Sequence, residues 1–186
     1  MTERFEIDPA HTMVGFSVKH LAVSTVRGSF GKFEGAFEAD RDNWKNVSGE
    51  LKIETASITT GNEQRDGHLQ SGDFFEAEKF PYITFKVKGV DQKDLGNYQV
   101  SGDLTIKDVT RPVTLAATVE GEIEHPFKPG SQLLSISATG ELNRKDFSLN
   151  WDGLAGAIPM AGHQIKLHID AEVTASPVTA EVTAQA

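Results

Sequence analysis

Apolar residues recur at every second position through much of this chain, the period of a strand with one buried and one wet face. Val14, Phe16 and Val18 share a face, with Gly15, Ser17 and Lys19 opposite. Phe33 and Phe37 share one with Gly31 and Gly35. Leu51 and Ile53 alternate with Lys52 and Glu54, and Ile83, Phe85 and Val87 with Thr84, Lys86 and Lys88. The same alternation carries Tyr98, Val100, Gly102, Leu104 and Ile106, then Val113, Leu115 and Val119. It continues in Leu134, Ile136, Ala138 and Leu142, and in Ile165, Leu167, Ile169 and Val173, making eight one-faced strands in all. Lys107-Asp108 separates two of them as a two-residue hairpin turn does. Short links between amphipathic strands predict an all-β fold, an eight-stranded antiparallel up-and-down barrel whose closure removes exposed edges. Such a barrel holds one small ligand when side chains leave its interior unfilled. Gly15, Gly31, Gly35, Gly102 and Gly140 fall within strands, either as bends that curve the sheet or as room for a ligand.

One segment, Gly61 to Phe85, breaks the pattern: it is long, half apolar and rich in ionisable groups, whereas ordinary connectors are polar and about 4–6 residues long. Thr60-x-x-Glu63 and Asp73-x-x-Glu76 resemble capping boxes, with Gly72 between them and Pro81 beyond, so two short helical turns are expected there, capping one barrel end. His20 to Arg27 reads as another turn. Trp151 to Gly162 has no period yet carries Trp151, Leu154, Ile158 and Met160. It reads as a plug over one barrel end, or as a lid or lipid-contact loop. The chain is expected to form a single domain over residues 1–175, with a flexible tail at 176–186.

The net charge of −9 argues against binding a phosphate backbone, so no nucleic-acid partner is expected. It also disfavours tight docking on anionic lipid heads. The absence of cysteine removes disulfides, thiolate catalysis and Cys-ligated zinc. No signal peptide follows Met1, and no run approaches the roughly 18 apolar residues of a membrane helix. A cytoplasmic protein is expected, or a periplasmic one if a leader has been removed.

Catalytic motifs are lacking: there is no G-x-S-x-G, no H-E-x-x-H and no phosphate-cradling glycine loop. The six histidines show no metal-ligand spacing on one element. No catalytic residue, metal site or required cofactor is therefore expected. Arg65, Asp66 and His68 read either as a structural network or as a mouth where Arg65 and His68 meet a polar or anionic head. Asn143 to Asp146 is a polar turn, with Arg144 as a second candidate fork.

These residues carry a resemblance. I-D-P-A-H-T (Ile7 to Thr12), F-S-V-K-H-L (Phe16 to Leu21) and V-S-T-V-R-G-S-F (Val23 to Phe30) are followed by R-D-G-H-L (Arg65 to Leu69) and D-F-F-E-A-E-K-F-P (Asp73 to Pro81). G-D-L-T-I-K-D-V-T-R-P-V (Gly102 to Val113) and N-R-K-D-F (Asn143 to Phe147) complete an ordered set spanning Phe5 to Ala175. The chain resembles the YceI family of lipocalin-like, polyisoprenoid-binding barrels. The resemblance implies an extended barrel with a helix at one end and a long apolar bore holding a prenyl chain, as in an isoprenoid quinone or a polyprenyl phosphate. Such a protein binds, stores or transports its lipid and is not an enzyme. An enzyme modifying an isoprenoid-type lipid, or a stress-response structural partner with a filled barrel, are the alternatives. The resemblance also admits a homodimer, and the apolar loop admits transient membrane contact.

The inward faces give the expected bore. It comprises Val14, Phe16, Val18, Phe33, Phe37, Leu51, Ile53, Ile83, Phe85, Val87, Val100, Leu104, Leu115, Ile136, Leu142, Ile165, Leu167 and Ile169, with Phe75, Trp151 and Ile158 from the connecting segments. His20, Arg65, His68 and Arg144 are the head-group candidates. Each isoprene unit buries five carbons, on the order of 3–4 kcal/mol gross, so a few units bind without any strong polar contact, less the cost of ordering the chain.

Overall fold

The computed structural model describes residues 1–178. Its strands are β1 (Thr2–Ile7), β2 (Met13–His20), β3 (Ser24–Phe30), β4 (Phe33–Asp40), β5 (Asn43–Glu54), β6 (Ile58–Thr59), β7 (Tyr82–Asp94), β8 (Asn97–Ile106), β9 (Val109–Glu124), β10 (Gln132–Asn143), β11 (Leu154–Ala155), β12 (Ile158–Pro159) and β13 (Ala161–Pro177). Helix α1 spans Glu63–Gln70. β1 and β2 are two halves of one bent strand, since both pair along β13. β3 and β4 are likewise halves of the next strand, facing β2 and β1 respectively. Counted so, eight antiparallel strands follow one another around the ring, which the β1–β13 pairing closes. This is the up-and-down barrel that the alternation predicts, lipocalin-like as the resemblance implies.

Three details differ from the sequence reading. The turn expected over His20 to Arg27 is confined to Leu21, Ala22 and Val23, and β3 begins at Ser24. The alternation does not mark β3, because Gly28 sits between the inward Val26 and Phe30, where a Cβ would collide with the ring of Phe16. Of the two helical turns, the first is α1, capped by Asn62, whose side chain accepts from Arg65 N, rather than by Thr60. The second is a series of hydrogen-bonded turns folded back on α1: Phe75 N donates to Leu69 O, and Ala77 N to Gln70 O. At the C-terminus β13 continues through Ser176 and Pro177, opposite Arg4 and Glu3. The rest of the expected tail, from residue 179, lies outside the described residues.

The interior is divided along the barrel axis. At one end Phe5, Ala39, Leu134, Val173 and Ala175 are buried together. Phe5 stacks on Phe37 at 4.6 Å between ring centroids, and Trp44 meets Tyr98 edge-on at 5.6 Å. Arg41 lies over the Phe5 ring and reaches Glu3 at 2.6 Å and Glu122 at 2.5 Å, so this end is filled with side chains and laced shut by charge. At the other end Val14, Ile53, Ile83, Phe85, Leu104 and Leu115 belong to a second apolar cluster, above which α1 and the segment 144–160 fold inward.

The bend between β1 and β2 gives the I-D-P-A-H-T motif a structural purpose. Asp8 caps a short 3-10 turn, Pro9–His11, by accepting from Ala10 N at 2.8 Å. His11 Nδ1 sits 2.9 Å from Asp8 Oδ2 and 3.4 Å from Glu172 Oε1 on β13. The Asp8 contact, then the Glu172 charge, raise the His11 pKa above its ordinary 6.5. The His11 contact, then the Ala10 hydrogen bond, hold Asp8 below its ordinary 3.8. A raised histidine stabilises fully below its unfolded pKa and loses that contribution as pH rises through the folded value. A lowered carboxylate contributes above its unfolded pKa and loses it as pH falls through the folded value. Both contributions are therefore complete between about 3.8 and 6.5. Chemical denaturation should show stability declining as pH rises above about 6.5, and His11→Gln should flatten that decline. An unchanged slope in the variant would mean that His11 does not carry it.

Candidate functional site

Above the packed end the strands enclose a cavity of about 490 Å³, within the usual size of a small-molecule site. Its wall is the inward face of the strands: Val14, Phe16 and Val18 from β2, Leu51 and Ile53 from β5, and Ile83 and Phe85 from β7. Leu104 on β8, Leu115 on β9, Leu142 on β10, and Ile165, Leu167 and Ile169 on β13 complete the ring, while Phe75 and Trp151 close it from above. The strand residues are ones the alternation placed in the bore, and Phe75 and Trp151 were expected there from the connecting segments. The structure also puts Val26, Phe30, Ile106, Val113, Phe74, Leu149 and Met160 on the wall. Ile106 and Val113 are in phase with Leu104 and Leu115, so the signal for them was present. Val26 and Phe30 lie on β3, where Gly28 interrupts the apolar alternation. Leu149 and Met160 carry no periodic signal.

Six expected bore residues lie elsewhere. Phe37 and Ile136 pack in or against the cluster of the filled end, and Phe33, Val87 and Val100 pack against the upper cluster without lining the cavity. Phe37 and Ile136 lie at the depth where the filled end's side chains meet, whereas Phe33, directly opposite the wall residue Ile53, is taken up by packing against its neighbours. Ile158 is 47% exposed on the small β11–β12 hairpin, because that hairpin pairs with itself and stands off the barrel. The intrastrand glycines serve packing more than ligand space: at Gly102 a Cβ would strike the Phe85 ring, and at Gly140 the Leu115 side chain.

All four head-group candidates line the cavity, and each is also tied to the protein. Arg144 is 3% exposed. Its Nε donates to Gly162 O at 3.0 Å, its Nη1 to Leu149 O, and its Nη2 to Ala161 O at 3.3 Å and Asp152 Oδ1 at 3.1 Å. It thus ties both stems of the Trp151–Gly162 flap to the barrel. Asp152 also meets Lys145, and lies 3.5 Å from His163 Nε2. The hydrogen bond from Lys145, then that from Arg144, hold its carboxyl below the ordinary range. His20 donates from Nδ1 to Met160 O at 2.6 Å, which fixes the ring tautomer at that nitrogen and fastens the flap to β2. His68 contacts Asp73 at 2.9 Å and stands edge-on to both Phe74 and Trp151, at 5.1 and 5.2 Å. With Phe74, whose ring lies 5.4 Å from that of Trp151, it joins the α1 segment to the flap.

Arg65 differs. Its Nε donates to Thr60 Oγ1 at 2.7 Å and its Nη2 to Thr60 O at 3.0 Å. Nη1 has no partner among the described residues. Asp66 takes the structural share of the motif, accepting from Thr60 N at 2.8 Å and from the Thr59 hydroxyl at 3.3 Å. The exposed members of the wall are Lys19, Asn62, Gln64 and Arg65, so the cavity opens between α1 and the end of β2, with the Arg65 fork at the rim. Away from the cavity, Asp8, His11 and Glu172 bring three potential metal-ligating atoms within 4.8 Å of one another; each already serves the β1–β2 bend.

A closed antiparallel barrel, filled at one end and holding an apolar cavity at the other, defines a lipocalin-like ligand-binding architecture. The YceI-like domain model matches residues 5–173, and the chain belongs to that family. It is 38% identical over 173 residues to the UPF0312 protein SA2479 of Staphylococcus aureus (strain N315), covering 92% of this chain and 98% of that one. Among solved structures, BcnA of Burkholderia cenocepacia superposes with a TM-score of 0.75 at 22% identity, covering 90% of this chain and 98% of BcnA. A polyisoprenoid binding domain from Saccharophagus degradans, implicated in plant cell wall breakdown, superposes with a TM-score of 0.63 at 14% identity, covering 93% and 98%.

Proposed function

We propose that this protein binds an isoprenoid lipid, a prenyl quinone or a polyprenyl phosphate, and stores or carries it without altering it. The carrying observation is the apolar cavity of about 490 Å³, enclosed by strands, floored by packed aromatics and open at one rim. Its wall offers contact along a hydrocarbon chain, worth on the order of 0.8 kcal/mol per methylene-sized group. The polyisoprenoid-binding neighbour and the YceI-like family support binding over catalysis. His20, one of the residues a catalytic reading would use, has Nδ1 committed to Met160 O.

The lipid head sits at the rim, against Arg65. Arg65→Met is expected to weaken a prenyl phosphate about tenfold, the loss of one charge-assisted hydrogen bond to an exposed anion, while leaving the matching prenyl alcohol unchanged. Calorimetric titration of the pair measures it, and equal losses for both would remove Arg65 from head recognition. Uptake itself is read by titrating a prenyl quinone against tryptophan fluorescence. The quinone should quench Trp151 on the wall and spare Trp44 in the filled end, so Trp151→Phe should remove most of the response. No saturable quenching in the wild type would overturn the proposal.

A further inference from the structure

Two apolar segments stand side by side at the open end. One is the turn Leu21–Val23 joining β2 to β3, the other the β11–β12 hairpin. Leu21 N donates to Met160 O at 3.2 Å, and Ala161 pairs with His20 across the sheet, which fixes the two segments as neighbours. Val23 is 84% exposed and Leu154 60%. Ala22, Ala155, Ala157, Ile158 and Pro159 are exposed with them, and neither segment contains a charged residue. Single exposed apolar side chains are ordinary, but a contiguous group of them marks a contact surface.

The turn adds a second observation. Leu21 and Ala22 lie at φ 51° and 59°, the left-handed conformation that glycine and asparagine adopt most readily. Leu-Ala strains this turn, and the exposed Ala22 and Val23 gain no burial within the chain in return. Charge supplies a third. Lys19 and Arg27 stand beside this turn on β2 and β3, and neither has an ion-pair partner among the described residues, in a chain whose net charge is −9. A local basic pair flanking an apolar tip is complementary to an anionic interface, whereas the acidic remainder is repelled from it.

We infer that this face docks on a lipid bilayer bearing anionic head groups, with Val23 and Leu154 entering the interface and Lys19 and Arg27 meeting phosphates. The inference rests on the proposed lipid cargo: the cavity rim, marked by Lys19, Asn62, Gln64 and Arg65, is continuous with this face. A docked barrel would therefore pass a prenyl chain between bilayer and cavity without exposing it to water.

Vesicle flotation of the full chain, with phosphatidylcholine alone or mixed with phosphatidylglycerol, tests the inference. The protein should float with both and more strongly with the mixture. Val23→Glu and Leu154→Glu should each lower the bound fraction about tenfold, and Arg27→Glu should erase the preference for the mixture. None of these residues lines the cavity, so all three variants should retain wild-type melting temperatures and wild-type affinity for prenyl quinone delivered from detergent. A protein that takes up the quinone yet does not float overturns docking and leaves the lipid-binding proposal standing. One that floats but takes up no quinone does the reverse. Sedimentation showing a dimer that Val23→Glu dissociates would assign the face to a second copy and also overturn docking.

Discussion

Leu167→Trp should abolish lipid binding, weakening a prenyl quinone by about a hundredfold or more, while the barrel stays folded. Leu167 lies midway along β13, opposite Phe16 on β2 and Gly140 on β10, and its side chain lines the cavity. An indole there occupies room that the ligand needs. Excluding one five-carbon unit forfeits on the order of 3–4 kcal/mol of burial, more than two decades in affinity. The same substitution in a filled core would cost about 1–3 kcal/mol in strain, but here the added atoms enter existing space, so the melting temperature should hold or rise. Leu167→Ala is the control: it enlarges the cavity, removes little of the wall and should keep binding within about tenfold. Isothermal titration with a prenyl quinone, beside a thermal melt of each variant, reads both. Wild-type affinity in the tryptophan variant would place the ligand outside this cavity.

The second large effect is on stability. Arg144→Met should cost about 3–5 kcal/mol, the usual consequence of removing one partner from a buried charged network, and so lower the melting temperature by on the order of 10 °C for a chain of this size. Arg144 is 3% exposed and donates to the carbonyls of Leu149, Ala161 and Gly162 as well as to Asp152. A methionine fills similar volume but donates nothing, leaving buried carbonyls unpaired. Because those carbonyls form the two stems of the flap, limited proteolysis should cut between Trp151 and Gly162 before the barrel itself. Asp152→Asn should cost much less, since the Asp152 side chain is 44% exposed and its ion pairs are screened by water. Were the two variants equally destabilised, Asp152 rather than the carbonyls would be the reason Arg144 is buried.

The barrel was legible because its period is strict: in Ile165, Leu167 and Ile169, as in Leu104 and Ile106, every second side chain points inward, and the structure uses each for the wall. Periodicity names the inward face but not the depth along the axis. Phe37 and Ile136 obey the same alternation as Leu51 and Leu142, yet they reach a level where Phe5 and Trp44 already meet, and they pack instead of lining. The bore foreseen as long is thus half a barrel. Where glycine interrupts the face, as at Gly28 in β3, the signal fades even though the strand persists. Arg144 was legible as a forked cation beside an apolar anchor, but its burial depends on residues 149–162 folding back over it, a contact between distant positions that no local pattern records. Arg65 and Asp66, adjacent in sequence, both fasten Thr60, and that Arg65 also stands at the cavity rim depends on where α1 is set on the barrel, which the motif does not record.

The central claim, that the cavity holds an isoprenoid lipid, is tested most directly by extracting the purified protein with organic solvent and weighing the extract by mass spectrometry. The account predicts a species whose mass fits a head group plus a whole number of five-carbon units, present in near-stoichiometric amount and lost from Leu167→Trp. A cavity that is consistently empty, in a protein that also fails to take up an added prenyl quinone, would contradict it.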